Sequence, residues 1–440
     1  MSQNDLILVS VDDHVVEPPT MFDRHIPAAY KDKAPRVVTE GGADVWVYEG
    51  MRVPNIGLNA VVGRIPEEYG MEPLSFSHVR KGCYDVKARI DDMNANGQLG
   101  ALCFPTFTQF GGTLFLGAKD KTAAKAVVSA YNDWHIDEWC GAAPGRFIPL
   151  AILPLWDVDA CVAEARRVAK KGCHTLTFPD NPSMKGLPSI HTEYWDPLWK
   201  AMVENGQVIS AHIGSGYQPP HASSESPIDA WILTMPLAIA NAAGDWLFSS
   251  IFKKYPDLKL ALSEGGIGWV PYFLERADFT FKHHNAWTNS HKNMGGLLPS
   301  EVFKRNIITC FIDDRFGLKN LDELNENLVA WECDYPHSDS VWPNCPERVW
   351  DQVKHLPTES INKITHLNAM REFSYDPFSV LGRENCTVGA LRALAQHVDT
   401  KPQAGLGGFN PAGDFRTGEP VTSGQVTRMF AAQLSAGSDA

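Results

Sequence analysis

The sequence predicts an α/β protein built as a (β/α)8 TIM-like barrel. Eight short apolar runs alternate with helical patterns along residues 1–395, and this order is typical of parallel strands joined by crossover helices. The number of runs matches the strand number of such a barrel. A Rossmann-like open sheet is the alternative, but the first run is not followed by the GxGxxG that a dinucleotide-binding turn needs.

The first predicted strand is residues 6–11, and it ends at Asp12, Asp13 and His14. Alternate side chains of a strand point the same way, so Asp12 and His14 share one face and Asp13 lies on the other. Two residues of metal-ligand type at the mouth of a buried strand suit a metal site. The alternative is a polar cap where the strand leaves the core.

Seven further runs have the same apolar character and are bounded by turn residues. They predict strands at 99–104, 147–153, 173–178, 208–212, 258–263, 306–311 and 328–332. Apolar residues at helical spacing separate the runs, and glycines such as Gly97 close several of these helices. The predicted helices are 85–96, 121–140, 158–171, 194–205, most of 227–254, 270–284, 357–371 and 388–396.

Two segments fall outside this alternation. Residues 31–81 are rich in Gly and Pro and hold only short strand-like pieces, so we expect a lid over the barrel mouth, inserted in a domain of residues 1–395. Residues 396–440 are rich in Gly, Ala, Pro, Ser and Thr, which predicts an extended or poorly ordered C-terminal arm. Such an arm suits contact with a partner subunit, and we expect a homodimer.

Composition narrows the classes of function. A formal net charge of −13 argues against nucleic acid and against anionic membranes as partners. Nine cysteines without CxxC spacing predict reduced thiols and a cytoplasmic protein. We expect neither a signal peptide, since Asn4 and Asp5 replace a basic leader region, nor a membrane span, since no apolar run approaches about 20 residues. A small molecule is the expected substrate.

The active site of a barrel is built at the carboxyl ends of its strands. The polar residues expected there are Asp12, His14, Asp180, His212, Glu264, Asp313, Asp314, Asp334 and His337. Carboxylate oxygen and imidazole nitrogen suit Zn²⁺, Fe²⁺ or Mn²⁺ with one position open for water. Asp12, His14, His212 and Asp334 are the strongest candidates for one such centre. A core histidine and a helix cap are the ordinary alternatives for His212 and Asp334.

Other candidates remain open between two or three roles. Glu264, followed by two glycines, is a ligand of a second metal, a general base, or an exposed turn residue. His337 reaches the metal of Asp334 or caps a helix. His174 lies within an apolar strand, where packing in the core is favoured over ligation. Helix capping is favoured for Asp313 and Asp314, and a surface position for His283, His284 and His291.

Several motifs together resemble a known family. They are Val11-Asp12-Asp13-His14-Val15-Val16-Glu17-Pro18, Ser210-Ala211-His212, Tyr255-Pro256 before Glu264-Gly265-Gly266, Asp334-Tyr335-Pro336-His337-Ser338-Asp339, and Asn368-Ala369 with Phe373. With them the chain resembles the amidohydrolase-2 branch of the amidohydrolase superfamily, which also holds the aminocarboxymuconate-semialdehyde and resorcylate decarboxylases. The resemblance covers most of residues 5–380. It implies a metal held by Asp12, His14, His212 and Asp334.

The chain departs from the family pattern at two positions. Asp12 replaces the first histidine of the common His-x-His pair, and Glu264 stands where the sixth strand often ends in histidine. Both changes enrich the site in carboxylate and favour harder or dinuclear centres such as Fe or Mn. In this respect the chain resembles a carboxylate-rich branch of the family, the diiron hydrolases that act on thioesters, and this resemblance implies hydrolysis. We therefore expect one or two divalent metals per chain, either Fe, Mn or Zn, held by Asp12, His14, His212, Glu264, Asp334 and His337.

The main functional expectation is a metal-dependent hydrolase. A metal-activated water would attack the acyl carbon of an amide, ester or thioester, with Glu264, Asp334 and His337 as the catalytic residues. The substrate would be a small, largely apolar carboxylic-acid derivative, as the aromatics Phe76, Trp195, Trp269 and Trp342 suggest. The alternative is a metal-dependent, non-oxidative decarboxylase of an aromatic or unsaturated acid. A third possibility is a non-catalytic member kept for assembly.

Overall fold

The computed structural model describes residues 1–54, 56–70, 73–217, 220–407 and 418–435. Eleven strands occur in this part of the chain. They are β1 (Val9–Val15), β2 (Arg36–Glu40), β3 (Ala43–Tyr48), β4 (Met51–Val53), β5 (Gly100–Pro105), β6 (Phe147–Ile148), β7 (Thr175–Thr177), β8 (Val208–His212), β9 (Lys259–Ser263), β10 (Ile307–Phe311) and β11 (Val329–Trp331).

The α-helices lie between and after these strands. They are α1 (Val86–Asn96), α2 (Lys121–Asp133), α3 (Val158–Ala169), α4 (Asp196–Glu204), α5 (Ile228–Thr234), α6 (Ala238–Leu247), α7 (Ile251–Lys254), α8 (Val270–Thr288), α9 (His291–Met294), α10 (Pro299–Asn306), α11 (Arg315–Lys319), α12 (Cys345–Val353), α13 (Thr358–Asn362), α14 (Asn368–Glu372), α15 (Phe378–Leu381), α16 (Val388–Leu394) and α17 (Ser423–Ser435). Each of the eight predicted helical regions contains at least one of these helices.

The eight predicted strands are all present and all parallel. β1, β5 and β6 form one sheet in that order, and β7 to β11 form a second sheet in sequence order. Backbone hydrogen bonds also join the sheet edges: the Ala151 N–H donates to the Thr175 carbonyl at 3.0 Å, and the Asp334 N–H donates to the Asp12 carbonyl at 2.7 Å. The carboxyl ends of β1 and β11 are thereby brought together.

Strand boundaries differ from the prediction at two places that matter. β1 begins at Val9 and runs to Val15, so Asp12 and His14 lie within the strand, where a bulge between Ser10 and Asp13 shifts its register against β5. β6 is only two residues long, against seven predicted. Pro149 follows it and has no N–H to give to a ladder, so regular pairing stops there.

Helical region 227–254 is divided into α5, α6 and α7 rather than continuous. Pro236 accounts for the first break, because a proline inside a helix removes a backbone donor and clashes with the preceding turn. Within residues 31–81, β2, β3 and β4 pair as an antiparallel sheet. The C-terminal arm was expected to be extended or poorly ordered, yet it contains the 13-residue helix α17.

The antiparallel sheet of residues 31–81 packs on the main body rather than forming a core of its own. Trp46 and Tyr48 of β3 are almost fully buried. The Trp46 ring stacks on Phe107 at 4.4 Å between centroids, and the Tyr48 ring meets Phe115 edge-on at 5.5 Å. Since Phe107 and Phe115 lie in the loop after β5, this segment is anchored at the end of the sheet where β1 also ends.

All nine cysteines are free thiols and buried. Across the described ranges, no helix combines the length and the apolar character that crossing a membrane would require.

Candidate metal centre

The structure brings four predicted ligands together at the carboxyl ends of β1, β8 and β11. Asp12, His14, His212 and Asp334 have exposed fractions of 0–1%. His14 Nε2 lies 3.5 Å from Asp12 Oδ1 and 3.1 Å from Asp334 Oδ1. His212 Nε2 lies 3.4 Å from Asp12 Oδ2 and 3.2 Å from His14 Nε2. These atoms form one compact set of oxygen and nitrogen donors.

Local structure in β1 separates the two neighbouring aspartates. Asp13 turns away from the site, as the alternation of the strand predicts, and its carboxylate accepts from the Gln98 side chain at 2.9 Å. The buried guanidinium of Arg89 lies 3.7 Å from the same carboxylate. The Ser10 hydroxyl lies 2.8 Å from Asp13 Oδ1 and 2.9 Å from the Asp12 carbonyl, inside the bulge. Asp12 is left facing the imidazoles.

The orientation of His212 is fixed by its other ring nitrogen. Nδ1 lies 2.7 Å from the Ile213 carbonyl, which can only accept, so Nδ1 carries the hydrogen and Nε2 presents its lone pair to the site. Asp334 and Glu264 both adopt left-handed backbone, with φ values of 56° and 61°. Side-chain-bearing residues rarely occupy this region, and such outliers cluster at functional sites.

His337 and Glu264 stand beside this set. His337 Nδ1 lies 2.9 Å from Asp334 Oδ1, and its ring centroid lies 3.8 Å from that of His14, with the two rings tilted by 31°. Glu264 Oε2 lies 3.3 Å from His212 Nε2, and the residue is only 8% exposed. Because Glu264 is buried and lies close to His212, it is not an exposed turn residue. The metal-ligand and acid–base interpretations remain.

The donor set fits a divalent cation. Neither carboxylate oxygen of Asp12 accepts a hydrogen bond, although both are buried. His14 Nε2 and His212 Nε2 face each other at 3.2 Å. Between two neutral imidazoles at this distance there is room for at most one N–H hydrogen, so at least one Nε2 lone pair is free to bind a cation. The ligand atoms within each of two overlapping groups, Asp12–His14–His212 and His14–Asp334–His337, lie within 4.8 Å of one another. Oxygen and nitrogen donors of this kind suit Mn, Fe or Zn.

Burial dominates the electrostatics of these groups. It raises the pKa of the Asp12, Glu264 and Asp334 carboxyls well above the usual range, and repulsion between the neighbouring carboxylates adds to the effect. Burial lowers the pKa of His212 to about 3 and that of His14 well below 6.5. Both imidazoles are therefore neutral at pH 7, which is the form that binds metal.

Glu332 also belongs to the site, although it was not among the residues predicted from the sequence. It is fully buried, and its Oε2 accepts the backbone N–H of Glu264 at 3.1 Å. Burial raises its pKa to about 8, with Asp334 adding repulsion. The sequence held one signal for it, because Glu332 is two residues before Asp334 at the end of a predicted strand.

The aromatic side chains at the site are different from those expected. Phe110 lies 4.1 Å from the His212 ring and 5.0 Å from that of His14, measured between ring centroids, and Phe104 lies 5.0 Å from His212. Trp195, by contrast, is fully buried against Phe178 at 5.1 Å. Trp269, Trp342 and Phe76 likewise pack on other rings, namely Phe273 and Phe303, Tyr335, and Tyr84 respectively.

The remaining candidates have structural partners. The Asp314 carboxylate accepts the Gly317 N–H at 2.8 Å and caps α11, and Asp313 pairs with Arg348. His174 is half-buried with Nδ1 3.1 Å from the Asn205 carbonyl. The buried Asp180 carboxylate accepts the backbone N–H groups of Asn181 and Tyr217, at 2.8 and 2.9 Å. His283, His284 and His291 are exposed.

Residues 72–374 match the family model described as Amidohydrolase; β1, with Asp12 and His14, precedes the matched range. A relative, the 2-amino-3-carboxymuconate-6-semialdehyde decarboxylase of Dictyostelium discoideum, is 23% identical over 310 residues, which are 69% of this chain and 80% of the relative.

Two solved structures are similar in fold. An amidohydrolase from Mycobacterium avium subsp. paratuberculosis K-10 is 21% identical with a TM-score of 0.65, and the match covers 84% of this chain and 99% of the other. The 5-carboxyvanillate decarboxylase of Novosphingobium aromaticivorans, complexed with manganese and 4-hydroxy-3-methoxy-5-nitrobenzoic acid, is 16% identical with a TM-score of 0.59; the match covers 85% of this chain and 99% of that one.

These relatives correct one expectation. The main functional prediction, a hydrolase acting on an acyl carbon, is wrong: the relative that is similar in sequence is a decarboxylase, and so is the manganese-bound structural neighbour. The expectation had relied on the carboxylate-rich ligand set as a sign of hydrolysis. A set of ligands identifies a metal centre, but the reaction depends on which substrate atoms are presented to it.

Proposed function

Because the chain belongs to the amidohydrolase family, we propose that it is a metal-dependent, non-oxidative decarboxylase of an aromatic or unsaturated carboxylic acid. The observation that carries this proposal is the similarity to a decarboxylase along 80% of that relative's length. The buried donor set at the ends of β1, β8 and β11 supports it, since it suits the divalent metal that such a reaction uses.

We infer that Asp12, His14, His212 and Asp334 hold one divalent metal, and we favour Mn²⁺ because two of these ligands are hard carboxylates. When bound, the metal would supply positive charge that stabilises the substrate carboxylate and a neighbouring hydroxyl or keto oxygen. His337 lies against Asp334 and is placed to orient it. The Ile213 carbonyl keeps the Nε2 lone pair of His212 directed at the site.

Loss of carbon dioxide leaves a carbanion-like carbon that must receive a proton. Glu264 is the group we propose for this step, because its carboxyl is buried beside His212 and burial raises its pKa, which favours the protonated form that an acid needs. Glu332 accepts the Glu264 backbone N–H and fixes the peptide from which that side chain projects. A single metal with Glu264 as acid suits decarboxylation better than a bridged pair of metals.

Phe110 and Phe104 supply the apolar wall of the proposed site. Their rings lie 4.1 Å and 5.0 Å from the His212 ring centroid. A planar unsaturated substrate can stack on such rings while its carboxylate points to the donor set. We propose a small, planar acid for this reason.

We further propose that the eight parallel strands close into a (β/α)8 barrel. Hydrogen bonds from Ala151 to Thr175 and from Asp334 to Asp12 support closure at the two seams between the sheets. Residues 31–81 would be the lid of a domain that spans residues 1–395, and 396–440 its C-terminal arm. A homodimer in the cytoplasm is the assembly that we expect, and light scattering of the purified chain measures its subunit number.

The test is release of carbon dioxide by Mn²⁺-loaded protein from three acids: 2-amino-3-carboxymuconate-6-semialdehyde, 5-carboxyvanillate and 2,6-dihydroxybenzoate. In D₂O, the product should carry one deuterium at the carbon that lost the carboxylate. His212→Ala should abolish the activity. The matched control is His191→Ala, because His191 is a half-exposed histidine paired with Asp245 outside the site.

Release of carbon dioxide that persists in His212→Ala would contradict the proposed site. A metal-loaded protein that decarboxylates none of the three acids, yet hydrolyses an ester with the same dependence on His212, would contradict the proposed reaction.

A further inference from the structure

Two stretches of the C-terminal arm pair by hydrogen bonds with two other segments of the chain. Residues 403–407 pair with residues 63–68, in the segment proposed as a lid. Residues 421–424 pair with residues 224–228, in the loop that follows β8 and His212. We call these contacts the lid clasp and the β8-loop clasp.

The lid clasp is made of backbone pairing and one buried arginine. The Ile65 N–H donates to the Gln403 carbonyl at 3.1 Å, and the Gln403 N–H donates to the Gly63 carbonyl at 2.8 Å. Arg64 is only 2% exposed, and its guanidinium donates to the Gly407 carbonyl at 2.8 Å and to the His78 carbonyl. A buried guanidinium bonded on both sides joins the arm to two parts of the lid.

The lid in turn holds the loop that follows Asp334. The backbone N–H groups of Val61 and Val62 both donate to the Pro336 carbonyl at 3.0 Å. The Asn59 side chain donates to the Ser338 hydroxyl at 3.0 Å. His337 lies between these two anchored residues, with its Nδ1 2.9 Å from Asp334 Oδ1. Hydrogen bonds therefore join the arm to the lid, and join the lid to Pro336 and Ser338, the two residues on either side of His337.

The β8-loop clasp has the same backbone character. The Ile228 N–H donates to the Val421 carbonyl at 2.8 Å, and the Ser423 N–H donates to the Ser226 carbonyl at 2.8 Å. The Gly424 N–H adds a bond of 3.0 Å to the Ser224 carbonyl. This second clasp is independent of the first, because it uses other residues of the arm and another loop.

We propose that the C-terminal arm is part of the active-site cover: its two clasps hold the lid and the β8 loop in place, and Arg64 is a positioning residue for the loop that carries His337. Fixed loops exclude water and keep site residues in one geometry, which a reaction that protonates carbon requires. Any effect of the arm on turnover rests on the proposed function. The effect of the arm on the positions of the lid and the β8 loop does not.

Three variants separate the two clasps. A chain ending at Asp399 lacks both, a chain ending at Gly407 lacks only the β8-loop clasp, and Arg64→Ala weakens only the lid clasp. Arg166→Ala is the matched control, because Arg166 is an exposed arginine paired with Glu204 on the protein surface. Hydrogen exchange is followed in peptides covering 61–65 and 224–228. The rate at which EDTA removes Mn²⁺ from loaded protein reports access to the site.

In the chain ending at Asp399, exchange should be at least about tenfold faster in both peptides, since local opening governs amide exchange. The chain ending at Gly407 should show the increase only in 224–228, and Arg64→Ala only in 61–65. EDTA should remove Mn²⁺ faster from each of these three than from the parent or Arg166→Ala. If Mn²⁺ does not bind, the exchange rates alone decide the proposal.

Unchanged exchange in both peptides of the Asp399 chain would overturn the proposal. If that chain does not fold, unchanged exchange at 61–65 in Arg64→Ala overturns the positioning role. If the parent protein decarboxylates none of the acids, but the variants show the selective changes in exchange, the proposed function is refuted and the proposed role of the clasps is supported.

Discussion

Glu264→Gln is the substitution that most directly tests how this site works. The amide has nearly the shape of the carboxyl, and the bond from the Glu264 backbone N–H to Glu332 is retained. The substitution removes only the acid–base chemistry of Glu264, because an amide carries no charge and has no acidic proton to donate. If Glu264 is the acid that protonates the substrate carbon, turnover should fall by about 10² to 10⁴, or about 3 to 5 kcal/mol of transition-state stabilisation.

The same substitution should stabilise the metal-free protein at neutral pH. Burial raises the pKa of the Glu264 carboxyl well above its usual value of 4.5, so the ionised form is disfavoured in the folded chain. The stability that this group contributes is present at low pH and is lost as pH rises through the folded pKa. Glutamine has no such dependence. Thermal unfolding of metal-free Glu264→Gln should therefore occur at a higher temperature than in the parent at pH 7.5, with little difference at pH 4.

Metal content, turnover and unfolding are measured on the same preparations, with Glu204→Gln as the exposed control. The acid interpretation expects unchanged metal content, lower turnover and higher stability of the metal-free protein. A fall from about two metals to about one would instead make Glu264 a ligand of a second metal. Turnover within about threefold of the parent would refute the argument for an acid at this position, because a group that transfers the proton contributes far more.

Three further predictions follow from individual contacts. His212→Ala should remove the metal and the activity and leave circular dichroism unchanged; full metal occupancy in this variant would contradict its role as a ligand. An excised fragment of residues 31–81 should show no cooperative unfolding, because Trp46 and Tyr48 are buried against Phe107 and Phe115 of the main body; a sharp transition would show an independent domain. Burial raises the pKa of Glu17 to about 7 from 4.5, so its contribution to stability is lost as pH rises through about 7. Glu17→Gln should gain up to about 3 kcal/mol relative to the parent between pH 4 and pH 8 in urea unfolding, and an equal difference at both pH values would contradict this.

The sequence was informative wherever a local pattern carries the chemistry. An apolar run predicts a buried strand, and in a parallel sheet the carboxyl end of such a strand lies at the edge where the active site is built. That is why the convergence of Asp12, His14, His212 and Asp334 could be predicted without an alignment. Even the outward turn of Asp13 followed from strand alternation. The placement of these residues required only strand ends, and errors of a few residues in the boundaries did not disturb it.

Features that depend on contacts between distant segments were not predictable in this way. Trp195 and Phe110 are both aromatic, but only tertiary packing places Phe110 on His212 and buries Trp195 against Phe178. The clasp between Ile65 and Gln403 joins residues more than 300 positions apart and is made by backbone atoms, which leave no sequence signal. The helix α17 was missed because the small and polar residues of the arm were averaged over its whole length, although a helix needs only a short favourable stretch.

The carboxylate excess that first suggested hydrolysis is better explained by charge balance. His14 and His212 are neutral at pH 7, so ionised Asp12 and Asp334 would together match the two charges of a divalent cation. Ionisation of Glu264 and Glu332 as well would add negative charge to a buried site in which the positive charge of the metal is already balanced. Burial raises the pKa of both carboxyls and so favours their protonated forms, and Glu264 is the one whose side chain reaches His212. A protonated glutamate at this position would place an acid beside His212, and the proposed decarboxylation needs such an acid to protonate the carbon that loses carbon dioxide.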